Sequence, residues 1–177
     1  NETKEVKEAK EGSEKNRLQG IALQEKISLI DGVLNSGAMD STVGTSFLTR
    51  APSGFWGTLG SLTTIAGIPS VAGGFFDTLT GERQNFIAGV EQFVSKEFLD
   101  NLIDVKAQGA TFGALTEKEQ LALTSAATKI GTWRLEDENG KVVGYNASEA
   151  DFRKELKTIQ DMTRVAYQKA TGELLLP

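Results

Sequence analysis

The sequence GERQNFIAGVEQFVSKEFLDNLIDV, residues 81–105, decides the fold of this chain. Its apolar side chains recur every three or four residues, a spacing that places them on one face of a helix. They are Phe86, Val90, Phe93, Val94, Phe98, Leu102 and Val105, with Leu99 and Ile103 widening the face. So wide an apolar face predicts burial on more than one side. We therefore expect one long helix over residues 83–105 at the centre of the fold.

Two further helices are predicted on the C-terminal side of this segment. Thr116-Glu117-Lys118-Glu119 matches a capping box, in which the Thr hydroxyl and the Glu carboxylate each satisfy a backbone N–H at a helix start. We expect this helix to end at Gly131, because glycine readily closes a helix. Ser148 is expected to begin the last helix and Gly172 to end it. The apolar stripes of the two helices are Leu123, Ala126, Ala127 and Ile130, and then Phe152, Leu156, Ile159, Thr163, Ala166 and Ala170.

One more helix is predicted on the N-terminal side, over about residues 15–34. Its stripe is Leu23, Ile27, Ile30 and Leu34. Gly37, after Asn35 and Ser36, is expected to take the left-handed conformation that closes the helix. Before this helix, residues 2–15 alternate Glu and Lys with few apolar side chains, which predicts a solvated helical arm that cannot fold alone.

A small β-hairpin is predicted over residues 132–145. Asn139-Gly140 lies between two runs of β-forming residues, and Asn-Gly in that position is a strong signal for a hairpin turn. An isolated two-stranded hairpin is only marginally stable. We therefore expect Trp133 and Tyr145 to pack against the helices.

The chain has 177 residues, of which 39% are hydrophobic, and this is enough for one folded domain. We divide it into a charged N-terminal arm, residues 1–16, and a helical domain, residues 17–177. The predicted fold class is mainly α, a compact bundle of about four principal helices with a small β-hairpin and a long Gly-rich loop. The tail Leu174-Leu175-Leu176-Pro177 is apolar, and either it caps the core or it leads into further chain.

The Gly-rich loop, residues 51–76, contains no charged residue and is interrupted by two prolines, which disfavours a membrane-spanning helix. The preferred interpretation is a long loop that lies over the core. Its anchors and candidate interaction residues are Phe47, Phe55, Trp56, Phe75 and Phe76. Two alternatives remain open, namely a segment that inserts into a membrane or between subunits, and a disordered linker.

The composition disfavours most catalytic chemistry. The chain contains no His and no Cys, which removes the commonest general base, the thiol nucleophile and the commonest metal ligands. We predict no enzyme activity, no cofactor and no metal site. The acids Glu136, Asp137, Glu138 and Asp151 lack the spacing of a calcium loop and are interpreted as a solvated turn. A net charge of −5, from 19 basic and 24 acidic residues, argues against direct binding to nucleic acid.

Three runs of residues carry a family resemblance. They are Phe86-Ile87-Ala88-Gly89-Val90-Glu91-Gln92-Phe93, Phe98-Leu99-Asp100-Asn101-Leu102 and Gly113-Ala114-Leu115-Thr116-Glu117-Lys118-Glu119. With the Ala-rich helix that follows, they resemble a helical module that recurs in virion proteins of tailed bacteriophages, often described as internal, DNA-ejection or tail-associated proteins. The resemblance covers about residues 17–171 and consists of helix caps and apolar stripes. Residues 51–76 and 133–145 look like insertions beyond it.

The resemblance implies a non-enzymatic structural or delivery role in a phage particle, and it transfers no active-site residue. The expected partners are other virion proteins or copies of this chain, and the expected location is the virion after synthesis in the bacterial cytoplasm. Two alternatives from other classes remain. A virion-associated peptidoglycan hydrolase would require paired carboxylates in a cleft. A membrane-active ejection module would bind liposomes through the aromatic side chains of residues 51–76.

Overall fold

The computed structural model describes residues 3–44, 64–65, 68–69, 81–109, 113–137 and 139–173 of the chain. Its helices are α1 (Lys4–Leu34), α2 (Met39–Thr42), α3 (Gly81–Val94), α4 (Lys96–Ile103), α5 (Glu117–Thr132) and α6 (Glu149–Thr171). Its strands are β1 (Thr64–Ile65), β2 (Ile68–Pro69), β3 (Arg134–Glu136) and β4 (Val142–Tyr145). Strand β1 pairs antiparallel with β2, and β3 pairs antiparallel with β4. The prediction of a mainly helical bundle with a small hairpin is confirmed.

Helices α1 and α6 pack side by side in opposite directions. Near the start of the contact, Gly20 of α1 lies against Thr171 of α6. At the other end, the Arg153 guanidinium of α6 donates to the carbonyl oxygen of Leu34. Leu23, Ile27, Ile30 and Val33 of α1 are buried, as are the apolar residues of the predicted α6 stripe. This antiparallel pair forms one side of the core.

The long central helix predicted over residues 83–105 is wrong, because the chain breaks at Ser95. The Ser95 hydroxyl accepts a hydrogen bond from the backbone N–H of Phe98 at 3.2 Å, and this caps the start of α4. The same hydroxyl donates to the carbonyl oxygen of Gln92 at 2.7 Å. The break brings the Phe93 and Phe98 rings edge to face, with centroids 5.7 Å apart. Apolar spacing alone could not distinguish this helix–cap–helix arrangement from one helix.

Other helix ends also differ from the predictions. Helix α1 begins at Lys4 instead of residue 15, although residues 3–15 are exposed as expected of an arm. It ends at Asn35, whose side-chain amide donates to the carbonyl oxygen of Asp31 at 2.9 Å, and Gly37 has no positive φ. Helix α5 likewise continues past Gly131. Gly172 closes α6 in the left-handed conformation, with φ 73°, as predicted.

The hairpin is held against the helices by aromatic contacts, as predicted. Phe152 of α6 lies between them, with ring centroids 5.0 Å from Tyr145, 6.4 Å from Trp133 and 6.0 Å from Phe86. The turn uses Gly140 with φ 74°, a conformation that favours glycine. Phe152 therefore joins α3, the end of α5, the hairpin and α6. The predicted core residues Phe86, Phe93, Phe98, Phe152 and Ile159 are all buried.

The predicted capping box at the start of α5 is confirmed. A Glu119 carboxylate oxygen accepts from the backbone N–H of Thr116 at 2.7 Å. The same oxygen accepts from the Lys169 ammonium of α6 at 3.0 Å. These contacts, first of all the backbone hydrogen bond, lower the pKa of Glu119. The box therefore also ties the start of α5 to the end of α6.

Gly89 marks the closest approach of α3 to α1 and allows a test of the packing. A methyl group at Gly89 would lie 2.8 Å from Cγ2 of Val33, whereas one at Gly32 would meet no atom within 4 Å. Val33 is buried and its branched side chain is stiff, so Gly89→Ala should cost about 1–3 kcal/mol of overpacking. Gly32→Ala is the control and should gain up to about 1 kcal/mol of helix propensity. Urea denaturation checks both, and equal stability of the two variants would contradict this packing.

Candidate functional site

The five aromatic residues predicted to make interactions lie outside the described residues. They are Phe47, Phe55, Trp56, Phe75 and Phe76. Apart from the backbone of residues 64–65 and 68–69, the Gly-rich loop 51–76 also lies outside them. Its role as a contact segment stays a prediction.

Two of the four acids considered for metal or acid–base chemistry bind backbone groups of the fold. One Asp137 carboxylate oxygen accepts from the backbone N–H groups of Asn139 and Lys141, each at 2.9 Å, which organises the hairpin turn. Asp151 accepts from the Ser148 hydroxyl at 2.6 Å, beside the N-terminal cap of α6. Glu136 is exposed, and Glu138 is outside the described residues. Among the described residues, no group of three or more acids could hold a metal ion.

A polar cluster that the sequence did not predict joins α3 to the hairpin. Glu91 of α3 accepts hydrogen bonds from the Tyr145 hydroxyl and from Nε of Arg134, each at 2.9 Å. The second carboxylate oxygen of Glu91 lies 2.7 Å from an Arg134 terminal nitrogen, so the ion pair is bidentate. Nothing in the local sequence pairs Glu91 with residues 43 and 54 positions away. We call these three residues the Glu91 cluster.

The electrostatics of the Glu91 cluster favour a structural role. Burial, with the neighbouring Glu91 charge, raises the pKa of Tyr145 far above its ordinary value. The hydroxyl therefore keeps its proton at any physiological pH and cannot act as a general acid or base. The hydrogen bond from Arg134 to Glu91 raises the pKa of the guanidinium. The carboxylate is thus engaged by both partners, and the cluster fixes the hairpin to α3 instead of presenting a reactive group.

The most exposed apolar surface of the described residues lies on α1. Leu18 is 55% exposed and Leu29 is 49% exposed, and they stand three helical turns apart on the side of α1 away from the core. Ile21 lies at the edge of this surface and is 44% exposed. We call these three residues the outer face of α1. Isolated exposed leucines are ordinary, but three on one helix form a surface that a neighbour can cover.

A second concave surface lies between α1 and α4. Its volume is about 410 Å³, and Leu23, Phe98 and Leu102 are among its apolar lining residues. Lys26 and Glu97 belong to the same lining. The groove can take an apolar side chain between two charges of opposite sign.

Comparisons of the chain with protein-family models, with curated proteins and with solved structures gave no match. The resemblance to phage virion proteins thus stays a prediction. In the described part of the chain, no helix is both long enough and apolar enough to cross a bilayer.

The Glu91 cluster generates a stability test. Glu91→Ala leaves the fully buried Tyr145 without its acceptor, so the free energy of unfolding should fall by about 1–3 kcal/mol. Tyr145→Phe removes the same hydrogen bond without stranding the hydroxyl and should cost about 1 kcal/mol. Urea denaturation of both variants and of the double variant measures the coupling, which should make the double loss smaller than the sum. Strictly additive losses would contradict a shared structural role.

Proposed function

We propose that this chain is a non-enzymatic component of a phage particle that packs against neighbouring virion subunits, first of all further copies of itself. The outer face of α1 is the contact surface. The observation that carries the proposal is the exposure of Leu18, Ile21 and Leu29 on a helix whose opposite side is already buried in the core. An apolar face on a well-packed helix gains free energy when a partner covers it.

The placement in a phage particle is supported by the resemblance of the runs in residues 86–119 to a helical module of tailed-phage virion proteins. The non-enzymatic part is supported by a sequence without His or Cys. It is also supported by the Glu91 cluster, whose carboxylate is engaged within the fold. A packing role requires only stable surfaces, and the core and the outer face supply them.

The charge pattern of α1 also favours packing over binding to a charged polymer. Lys and Glu alternate along its N-terminal half, so neither sign dominates there. Along α6 the basic side chains are paired, since Arg153 contacts Glu149 at 2.7 Å and Lys157 contacts Asp161 at 3.2 Å. A surface of mixed charge with exposed leucines fits a protein neighbour better than nucleic acid, which attracts one sign of charge.

Light scattering over a range of protein concentrations tests the proposal. The average mass of the unaltered chain is expected to rise above the monomer value as concentration increases. Leu18→Glu with Leu29→Glu should abolish the rise, because a charge placed in a desolvated contact carries a large penalty. Both positions are exposed in the monomer, so the variant should keep its helix content by circular dichroism.

The matched control is Leu121→Glu. Leu121 is 70% exposed on α5, away from the outer face, so the same substitution should leave the concentration dependence unchanged. An unaltered chain that stays monomeric at all concentrations would contradict packing between copies. Equal loss of association in the control and the α1 variant would contradict the assignment to α1. Mass spectrometry of purified particles of the source phage checks the location, since the chain is expected in them.

A further inference from the structure

Helix α1 extends well beyond the helix that covers it. Thr171, the last residue of α6, lies against Gly20, so residues 4–19 of α1 have no counterpart on α6. At 1.5 Å per residue, these residues project about 24 Å past the end of α6. We call residues 4–19 the overhang.

The overhang continues the buried stripe of α1 without interruption. Val6, Ala9, Ser13 and Asn16 lead into the stripe at Gly20 with spacings of three and four residues, and Leu23, Ile27 and Ile30 continue the same spacing. Such a spacing keeps all of these positions on one side of the helix. The charged residues of the overhang all fall at other positions. The sequence of α1 therefore prepares a longer covered face than α6 alone covers.

A groove of about 650 Å³ lies at this point. Ala9, Ser13, Asn16 and Gly20 line its α1 side. Its other walls are formed by Gln108, Gly109, Tyr167, Thr171 and Glu173. The loop after α4 is fixed there, because the backbone N–H of Gln108 donates to the carbonyl oxygen of Lys169 at 2.7 Å. The groove is thus a built continuation of the contact between α1 and α6.

The chain leaves α6 at the wall of this groove. Gly172 turns the backbone with φ 73°, and the Glu173 carboxylate accepts a hydrogen bond from the Tyr167 hydroxyl at 2.8 Å. Both Tyr167 and Glu173 line the groove. The next residues in the sequence are Leu174, Leu175, Leu176 and Pro177, an apolar run. Four residues reach at most about 14 Å, which is the distance along α1 from Gly20 to about Gly12.

We propose that Leu174-Leu175-Leu176 lies in this groove along the uncharged side of the overhang. The segment takes the place that a longer α6 would occupy and covers Asn16 and Ser13. The proposal does not depend on the assembly role, because Leu18 and Leu29 of the outer face lie on the other side of α1. It assigns the N-terminal half of α1 to the folded domain instead of to a free arm.

Engineered disulfides test the proposal in the full chain, which has no Cys of its own. The test pair is Asn16→Cys with Leu175→Cys, and the matched control is Glu14→Cys with Leu175→Cys. Residues 14 and 16 are two positions apart and therefore point to nearly opposite sides of the helix. A disulfide needs Cβ atoms about 3.5–4.5 Å apart, so it reports proximity sharply. The oxidation is run at low protein concentration and followed by mass spectrometry of the intact protein and its peptides.

An intramolecular disulfide that forms faster in the Asn16 pair than in the Glu14 pair is the expected result. A disulfide between two molecules from the Asn16 pair would overturn the proposal, because the groove would then receive a second copy. Equal rates in both pairs, or no disulfide in the Asn16 pair, would also overturn it.

Hydrogen exchange supplies a second measurement that needs no added thiol. Replacing Leu174, Leu175 and Leu176 by Ser should speed exchange in residues 9–19 by about tenfold or more, since burying one Leu is worth at least that factor. Exchange around the fully buried Ile159 should stay unchanged and serves as the internal control for folding. Unchanged exchange in residues 9–19 would overturn the proposal.

Discussion

The antiparallel pairing of α1 with α6 is the contact on which the rest of the structure depends. It buries the Leu23, Ile27 and Ile30 side of α1 and the apolar stripe of α6, and the other elements pack against these two helices. Close approach at Gly20 sets the spacing of the pair at one end. The two helices have different lengths, 31 and 23 residues, so the pairing leaves part of α1 without a partner helix. The overhang follows from this difference.

The hairpin depends on the helices for its stability. Two strands of three and four residues cannot persist alone in water. Phe152 supplies the apolar anchor, and the Glu91 cluster supplies the polar one from α3. The polar anchor costs desolvation, and its bidentate geometry offsets that cost while fixing the orientation of the hairpin. The same contacts engage the carboxylate that a catalytic interpretation would have needed.

The sequence predicted the elements well where a signal is local. The capping box at Thr116, the Asn139-Gly140 turn and the left-handed Gly172 each depend on a few adjacent residues, and all three are present. The break at Ser95 was missed because the apolar spacing continues across it and a single serine is a weak signal inside a strong pattern. The Glu91 cluster was missed because its members meet only after the chain has folded. No periodicity or turn residue encodes a contact between residues 91 and 145.

The N-terminal half of α1 illustrates how a helix can be charged and still belong to a core. Charge alone predicted a solvated arm, because Glu and Lys fill most of its positions. The positions that carry no charge, Val6, Ala9, Ser13 and Asn16, repeat with the spacing of the buried stripe, which composition cannot reveal. An exposed helix of this length is marginal by itself, but it extends from a turn that the core already fixes, so nucleation costs nothing further. The charged positions then keep the overhang in solution, while its uncharged side and the outer face offer separate contacts.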